Sequence, residues 1–253
     1  MIDLHTHVLP GVDDGPRTLE ESLDVLRSMR KDGVRTVAAT PHVREDWPTT
    51  AERMHTAVAA LTGAAREAAI EIEVLPGGEV DLGRLVSLSP EERAGFGLGG
   101  NPHLLLLEFP YVGWPMGLAD IVFRLRSAGI VTLLAHPERN PEVQAEPERL
   151  REVVRGGALV QLTAGSVDGR MGARSKKCAL RLLELELAHV LASDAHAPSV
   201  RAAGLAAAAD ALGSLGRWMA SDVPAALLEG SELPPRPGRA SRRGWFGRRP
   251  GRR

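Results

Sequence analysis

Leu104-Leu105-Leu106-Leu107-Glu108 and Ile130-Val131-Thr132-Leu133-Leu134-Ala135-His136 are two runs of strand length, separated by a segment that opens near Pro115 and stops at Gly129. Each run is apolar without alternation, the pattern of a strand buried on both faces, and the segment between is long enough for a helix. Strand, helix and strand form a βαβ unit, so the two strands lie parallel with a right-handed crossover. Each run also ends on a residue that can bind a metal, Glu108 and His136.

The same cycle extends to both sides. Strands are predicted over residues 2–4, 34–39, 70–75, 158–162 and 189–192, and all but the one at 158–162 run into metal-binding residue types: His5 and His7, His42, Glu79, and Asp194 with His196. A helix over 18–33 opens with Thr18 and Glu21 spaced as a capping box, carries Leu19, Leu23 and Leu26 as a stripe, and stops at Gly33. Further helices are predicted over about 50–69 and from about 200. Pro41 lacks an amide donor, so it ends the second strand just before His42, and Gly77-Gly78 let the chain turn ahead of Glu79. The seven cycles predict an α/β fold closed as an imperfect seven-stranded (β/α)7 barrel, with a doubly wound open sheet as the alternative. In either, the C-terminal strand ends share one face, where such folds place their chemistry.

The 253 residues fit one domain of this kind, placed at 1–232. Aromatic residues make up only 4% against 43% hydrophobic, so the core is expected to be aliphatic. Residues 233–253 are set apart as a tail, because 236–253 hold eight arginines and no acid; without those charges the net charge of −1 becomes −9. The tail is rich in Pro and Gly and is expected to be disordered. Its Trp245-Phe246 among arginines fits weak contact with an anionic membrane surface, and a solubilising role is the plainer reading. No apolar run reaches the roughly 20 residues of a membrane span, and Met1 leads straight into a strand. The chain is expected in the cytoplasm, at most peripheral at the inner membrane face. An acidic body without a basic groove argues against nucleic acid. Cys178 has no disulfide partner and reads as a helical core filler; a cysteine phosphatase would need an arginine six positions on, where Glu184 stands.

His5-Thr6-His7 places two imidazoles on the same side of a strand end, which suits one ion but is also what surface histidines give. Asp14, His42, Glu79, Glu108, His136, Asp194 and His196 join the pair at strand ends or in the loops just beyond, while His55, His103 and His189 fall outside the pattern and read as structural or surface. Five imidazoles and four carboxylates are too many for one ion and suit two or three. Mixed N/O ligation without thiolate fits Mn, Fe or Zn. Three divalent ions against four carboxylates leave a site of about +2, suited to a phosphate monoester whose oxygens the metals polarise.

These residues lie in Met1-Ile2-Asp3-Leu4-His5-Thr6-His7, Asp13-Asp14-Gly15, Thr40-Pro41-His42, Gly78-Glu79, Glu108, Ala135-His136-Pro137-Glu138-Arg139 and Ser193-Asp194-Ala195-His196. The set resembles the polymerase and histidinol phosphatase (PHP) superfamily and, within it, the bacterial capsule-type tyrosine phosphatases. The similarity runs in order from Met1 to about residue 230. It implies a distorted seven-stranded barrel with a trinuclear site. His5, His7, Glu79 and Asp194 would hold one metal; Glu79 would bridge to a second shared with Glu108 and His136; Asp14, His42 and His196 would hold the third. Asp13 would cap the turn that follows it. The resemblance also implies two arginines on the substrate phosphate, Arg139 and Arg201, with Arg170 or Arg174 as alternatives to Arg201. A plainer role for Arg139 is pairing with Glu138 or Glu142.

The implied activity is that of a metal-dependent phosphomonoester hydrolase, a protein-tyrosine phosphatase using two or three divalent transition ions, Mn first. Its partner would be a phosphotyrosine protein, a membrane-associated tyrosine kinase controlling capsule or exopolysaccharide synthesis. Rivals are a small-molecule phosphatase such as histidinol phosphatase, a nuclease, and a non-catalytic module stabilised by its metals. Nothing in the sequence reads a tyrosine ring outright. Trp114 or Tyr111 could pack on one, with a core role as the plainer reading for both.

Overall fold

The computed structural model describes residues 1–197 and 204–238. Among them the strands are β1 (Ile2–Thr6), β2 (Thr36–Ala39), β3 (His42–Val43), β4 (Glu73–Pro76), β5 (Glu79–Asp81), β6 (Leu104–Glu108), β7 (Val131–Ala135), β8 (Leu159–Thr163) and β9 (Val190–Ala192). Every paired neighbour is parallel. The helices that matter below are α1 (Leu19–Lys31), α2 (Ala51–Glu67), α3 (Leu118–Ser127), α4 (Pro141–Ala145), α5 (Ala173–Glu184) and α6 (Leu205–Leu212).

All seven predicted strand regions are strands, but they do not form one closed seven-stranded sheet. They make two parallel sheets, one ordered β1-β2-β4 and one ordered β3-β5-β6-β7-β8-β9. The difference comes from two breaks. The second predicted strand ends as β2 before Thr40-Pro41, where Pro41 has no N–H to continue the ladder, and the chain resumes as the short strand β3. The third ends as β4 before Gly77-Gly78 and resumes as β5. There the backbone passes so close to Leu98 and Phe96 that a Cβ on either glycine would sit 2.9 or 2.8 Å from their side chains. The chain's two ends still meet: Thr6 and Ala195 form a parallel bridge, His7 N–H donates to Ala195 O at 2.8 Å, and Asp194 N–H donates to His5 O at 2.9 Å.

Local chemistry sets the helices as expected at several ends. Thr18 and Glu21 form the reciprocal capping box of α1, and Gly33 beyond it takes φ 86°, the left-handed conformation that glycine supplies cheaply. All five residues of β6 are buried, as the unalternating leucine run requires. Cys178 is buried in α5, and burial pushes its thiol up to about 12, so it fills space without reactivity. Past α6 the chain returns to the body: Trp218 Nε1 donates to Pro234 O at 3.0 Å and Arg236 Nη1 to Ala188 O at 2.6 Å. Trp245-Phe246 and the rest of the Arg-rich tail beyond Gly238 lie outside the described residues. Among those described, no helix is long and apolar enough to cross a membrane.

Candidate metal centre

The C-terminal ends of β1, β6, β7 and β9 converge with the breaks that follow β2 and β4, and with them all nine predicted residues. His5 is in β1, His42 opens β3, Glu79 opens β5, Glu108 closes β6, and His136 and Asp194 follow β7 and β9. His5 and His7 bring their Nε2 atoms within 3.2 Å of each other, and each lies 3.4 Å from a different oxygen of Glu79. Asp194 Oδ1 is 3.5 Å from His5 Nε2 and 3.4 Å from His7 Nε2. His136 Nε2 approaches Glu79 Oε1 at 2.8 Å, and His42 Nδ1 lies 2.9 Å from Glu79 Oε2 and 3.8 Å from Glu108 Oε2. Asp14 completes the mouth, 3.1 Å from His196 Nε2 and 3.5 Å from His42 Nε2.

Four groups of ligand atoms are each compact enough to hold an ion: His5, His7 and Asp194; His5, Glu79 and His136; His42, Glu79 and Glu108; and His7, Asp14, His42 and His196. Glu79 sits in the middle, facing His5, His7, His42 and His136 at once. The grouping differs in detail from the expected assignment, since Glu108 shares a group with His42 rather than with His136. The donor chemistry fits divalent ions. Glu108 Oε2 and His136 Nδ1 are buried with no hydrogen-bond partner, and His42 Nδ1 faces Glu79 Oε2 without hydrogen-bonding geometry. Buried polar atoms left so cost free energy unless something binds them.

Electrostatics point the same way for part of the cluster. Burial, reinforced by Glu79, pushes the Glu108 carboxyl up to about 7, while burial holds the His136 imidazole down to about 4. Burial would also raise Glu79 and Asp194, but the imidazoles around them, His5 first, together more than reverse it and keep both well below the carboxylate range. Neutral His136 and charged Glu79 and Asp194 are in the protonation states that ligate metals. Glu108 must lose a proton to do so, as must His5 and His7, in which burial lowers the affinity for protons but nearby carboxylates outweigh it. His136 (φ 39°) and Asp194 (φ 53°) are non-glycine residues in the left-handed region, a strain of about 1–3 kcal/mol each that tertiary contacts must offset. Their amides are pinned, to Gln161 O at 3.0 Å and to His5 O at 2.9 Å.

Several residues around this cluster escaped the sequence reading. Asp13 caps its turn as expected, accepting from Gly15 N–H at 3.0 Å, but its other oxygen lies 2.6 Å from His7 Nδ1 and accepts from His42 N–H at 3.0 Å. Gln161 Oε1 faces His5 Nδ1 at 3.0 Å. Such outer partners orient metal-ligating imidazoles. Arg44, just past β3, lies 3.2 Å from Glu108. Adjacency to Asp14 and a place two residues past His42 were the available signals for Asp13 and Arg44; Gln161, distant in sequence from His5, offered none.

Arg139 sits at the rim, Nη1 donating to Asp194 Oδ2 at 2.5 Å, with its guanidinium 5.1 Å from the Tyr111 ring. It does not pair with Glu138, which is buried and accepts from Thr163 N–H. Tyr111 is no core residue: it stacks on His136 with ring centroids 5.6 Å apart and is 41% exposed. Trp114 packs edge-on against Phe109. Arg201 lies outside the described residues. Arg170 pairs with Asp168 at 2.7 Å, and Arg174 lines a cleft between α4 and α5, so neither belongs to the cluster. His55 and His103 are exposed, away from the site, and His189 Nδ1 accepts from Val160 N–H.

Parallel strands whose ends gather nine N and O donors, with no thiolate among them, have the framework of a multinuclear metal site. The chain belongs to the capsular polysaccharide synthesis family CpsB/CapC, whose pattern matches residues 1–222. It is 33% identical over 234 residues to the tyrosine-protein phosphatase YwqE of Bacillus subtilis (strain 168), covering 92% of this chain and 91% of that one. It is 31% identical over 206 residues to the tyrosine-protein phosphatase CpsB of Streptococcus pneumoniae, covering 78% and 83%. In three dimensions it matches a crystal structure from work on YwqE and CpsB, described as metal-dependent tyrosine phosphatases, with TM-score 0.84 at 30% identity, covering 94% of this chain and 99% of that one.

Proposed function

We propose that this chain is a metal-dependent protein-tyrosine phosphatase acting on a membrane-associated bacterial tyrosine kinase that controls capsule or exopolysaccharide synthesis, at the cytoplasmic face of the membrane. The observation that carries the reading is the convergence of His5, His7, Asp14, His42, Glu79, Glu108, His136, Asp194 and His196 into four ligand groups, two of which share Glu79. The relatives' activity and the match over nearly the whole chain support the same conclusion. Residues 1–232 are the phosphatase domain and 233–253 its tail. We read the fold as a distorted seven-position barrel in which β2 with β3, and β4 with β5, each occupy one position.

The nine residues would hold two or three divalent ions, Mn first and Fe or Zn as alternatives. When bound, such ions supply Lewis acidity toward phosphate oxygens and lower the pKa of water. The chain's own residues do the rest. Glu79 fixes the spacing of the histidines around it. Asp13 and Gln161 hold His7 and His5 in one orientation. Arg139, at the rim beside Asp194, is placed to meet a phosphate dianion with a guanidinium, which binds such oxygens in pairs; Arg201 is proposed as its companion. Tyr111, stacked on His136 and partly exposed, is placed to flank the substrate's ring. No side chain near the cluster is a nucleophilic thiol, and no phosphoenzyme is expected.

Turnover of a phosphotyrosine peptide, histidinol phosphate and single-stranded DNA, each with Mn and with chelator, tests the reading. The phosphopeptide should be preferred and its hydrolysis should vanish with chelator. Preference for histidinol phosphate, or a rate indifferent to chelator, would reject it.

A further inference from the structure

Residues 169–181 hold five cations and no acid, in a chain whose body carries a net charge of −9 without its tail. Most of these cations have structural work. Arg170 pairs with Asp168, Lys176 donates to Asp168 O at 3.2 Å, and Arg181 meets Glu148 at 2.6 Å and Glu184 at 3.2 Å. Arg174 and Lys177 are exposed, and neither has an acidic partner among the described residues. Both line a cleft of about 720 Å³ between α4 and α5, whose apolar walls include Pro141, Ala145, Cys178 and Leu180 and whose one lining acid, Glu184, is paired with Arg181. Arg174 stands in the first turn of α5, where no acidic residue does. A cation there opposes the helix dipole, so folding alone gives no reason for it.

One wall of the cleft is tied to the segment that carries Arg139. Pro141 lies two residues beyond Arg139, and Gln144, another wall residue, donates from Nε2 to Glu138 O at 3.0 Å. The cleft therefore has an apolar floor, two unpaired cations at the end of α5 nearer Gly169, and a wall tied to the segment carrying Arg139. We propose that it is a docking track for an acidic stretch flanking the phosphotyrosine of a polypeptide substrate, a proposal that rests on the phosphatase reading. An acidic stretch meets its charge complement there and is repelled by most of the remaining surface.

The test uses the full-length, metal-loaded chain and the variant Arg174→Glu/Lys177→Glu. Substrates are two phosphotyrosine peptides of equal length, one with acidic and one with neutral flanks, and p-nitrophenyl phosphate; peptide binding is also read directly by fluorescence anisotropy. The variant should raise KM and Kd for the acidic peptide about 5- to 30-fold, an effect that added salt erases, with kcat and both other substrates unchanged. Unchanged acidic-peptide affinity, or equal losses on all three substrates, would overturn the proposal. So would single-stranded DNA displacing the acidic peptide at lower concentration, which would assign the cleft to nucleic acid. Failure of the wild type to hydrolyse p-nitrophenyl phosphate would instead defeat the phosphatase reading, while anisotropy would still decide the docking question.

Discussion

Asp13 shows how one carboxylate can matter without facing the centre of the cluster. It holds the His7 imidazole from behind and ties the loop to β3 through His42 N–H. Asp13→Ala is expected to lower metal affinity and turnover about 10–100-fold, the usual cost of losing an outer partner; metal titration beside a melting curve measures it, and unchanged affinity would remove Asp13 from the site. His136→Ala should lower turnover by more than about 100-fold with little change in Tm, and activity near wild type would remove His136 from the proposed ligands. The nine donors were legible because strand periodicity fixes where each strand stops, and a histidine or carboxylate at that point faces the shared end of the sheet. Gln161 was not legible, because its partner His5 lies on a strand at the other end of the chain and only the folded sheet brings them together. Tyr111 misled for a related reason: an aromatic reads as core, and only the structure puts its face on His136.

At the scale of elements, the breaks in the strands and the loop after β1 position the site. Unalternating apolar runs and a capping box made the strands and α1 readable. The split of two strands was only half visible, since Pro41 and Gly77-Gly78 marked ends without showing that the chain resumes as β3 and β5. These short strands deliver His42 and Glu79, and their pairing aligns the two residues directly. Gly15 is the tightest point in the loop: a Cβ there would lie 2.4 Å from the His7 carbonyl oxygen. Backbone cannot yield as a flexible side chain does. Gly15→Ala is therefore expected to lower stability by about 1–3 kcal/mol and reduce turnover together with metal content, measured by urea unfolding and elemental analysis. Unchanged stability would show that the loop relaxes freely.

Across the whole molecule, the first and last strand regions interlock through Thr6 and Ala195, and the segment after α6 returns to cover Ala188. That closure partly buries His189. Burial, helped by the positive charge of Arg236, lowers its pKa from 6.5 to about 4. Between those values the unfolded chain binds the proton and the folded chain does not. The contribution is thus fully present above about pH 6.5 and is lost as pH falls toward 4, to an extent of about 1–3 kcal/mol. Denaturant unfolding at pH 7.5 and 5 should show a steeper loss in wild type than in His189→Asn, and equal slopes would contradict it.

The sequence carried seven strand regions and the face on which they end, because burial and metal-binding residue types repeat with the βα cycle, but not the short added strands β3 and β5. Sheet closure is not written in that cycle, since it depends on how Pro41 and the paired glycines bend the ladder. Glu79, which faces four histidines, is where the account is most exposed. Elemental analysis of the purified wild type beside Glu79→Gln should find two or three transition ions per chain in the first and fewer in the second. A wild type without ions, or equal content in both, would contradict it.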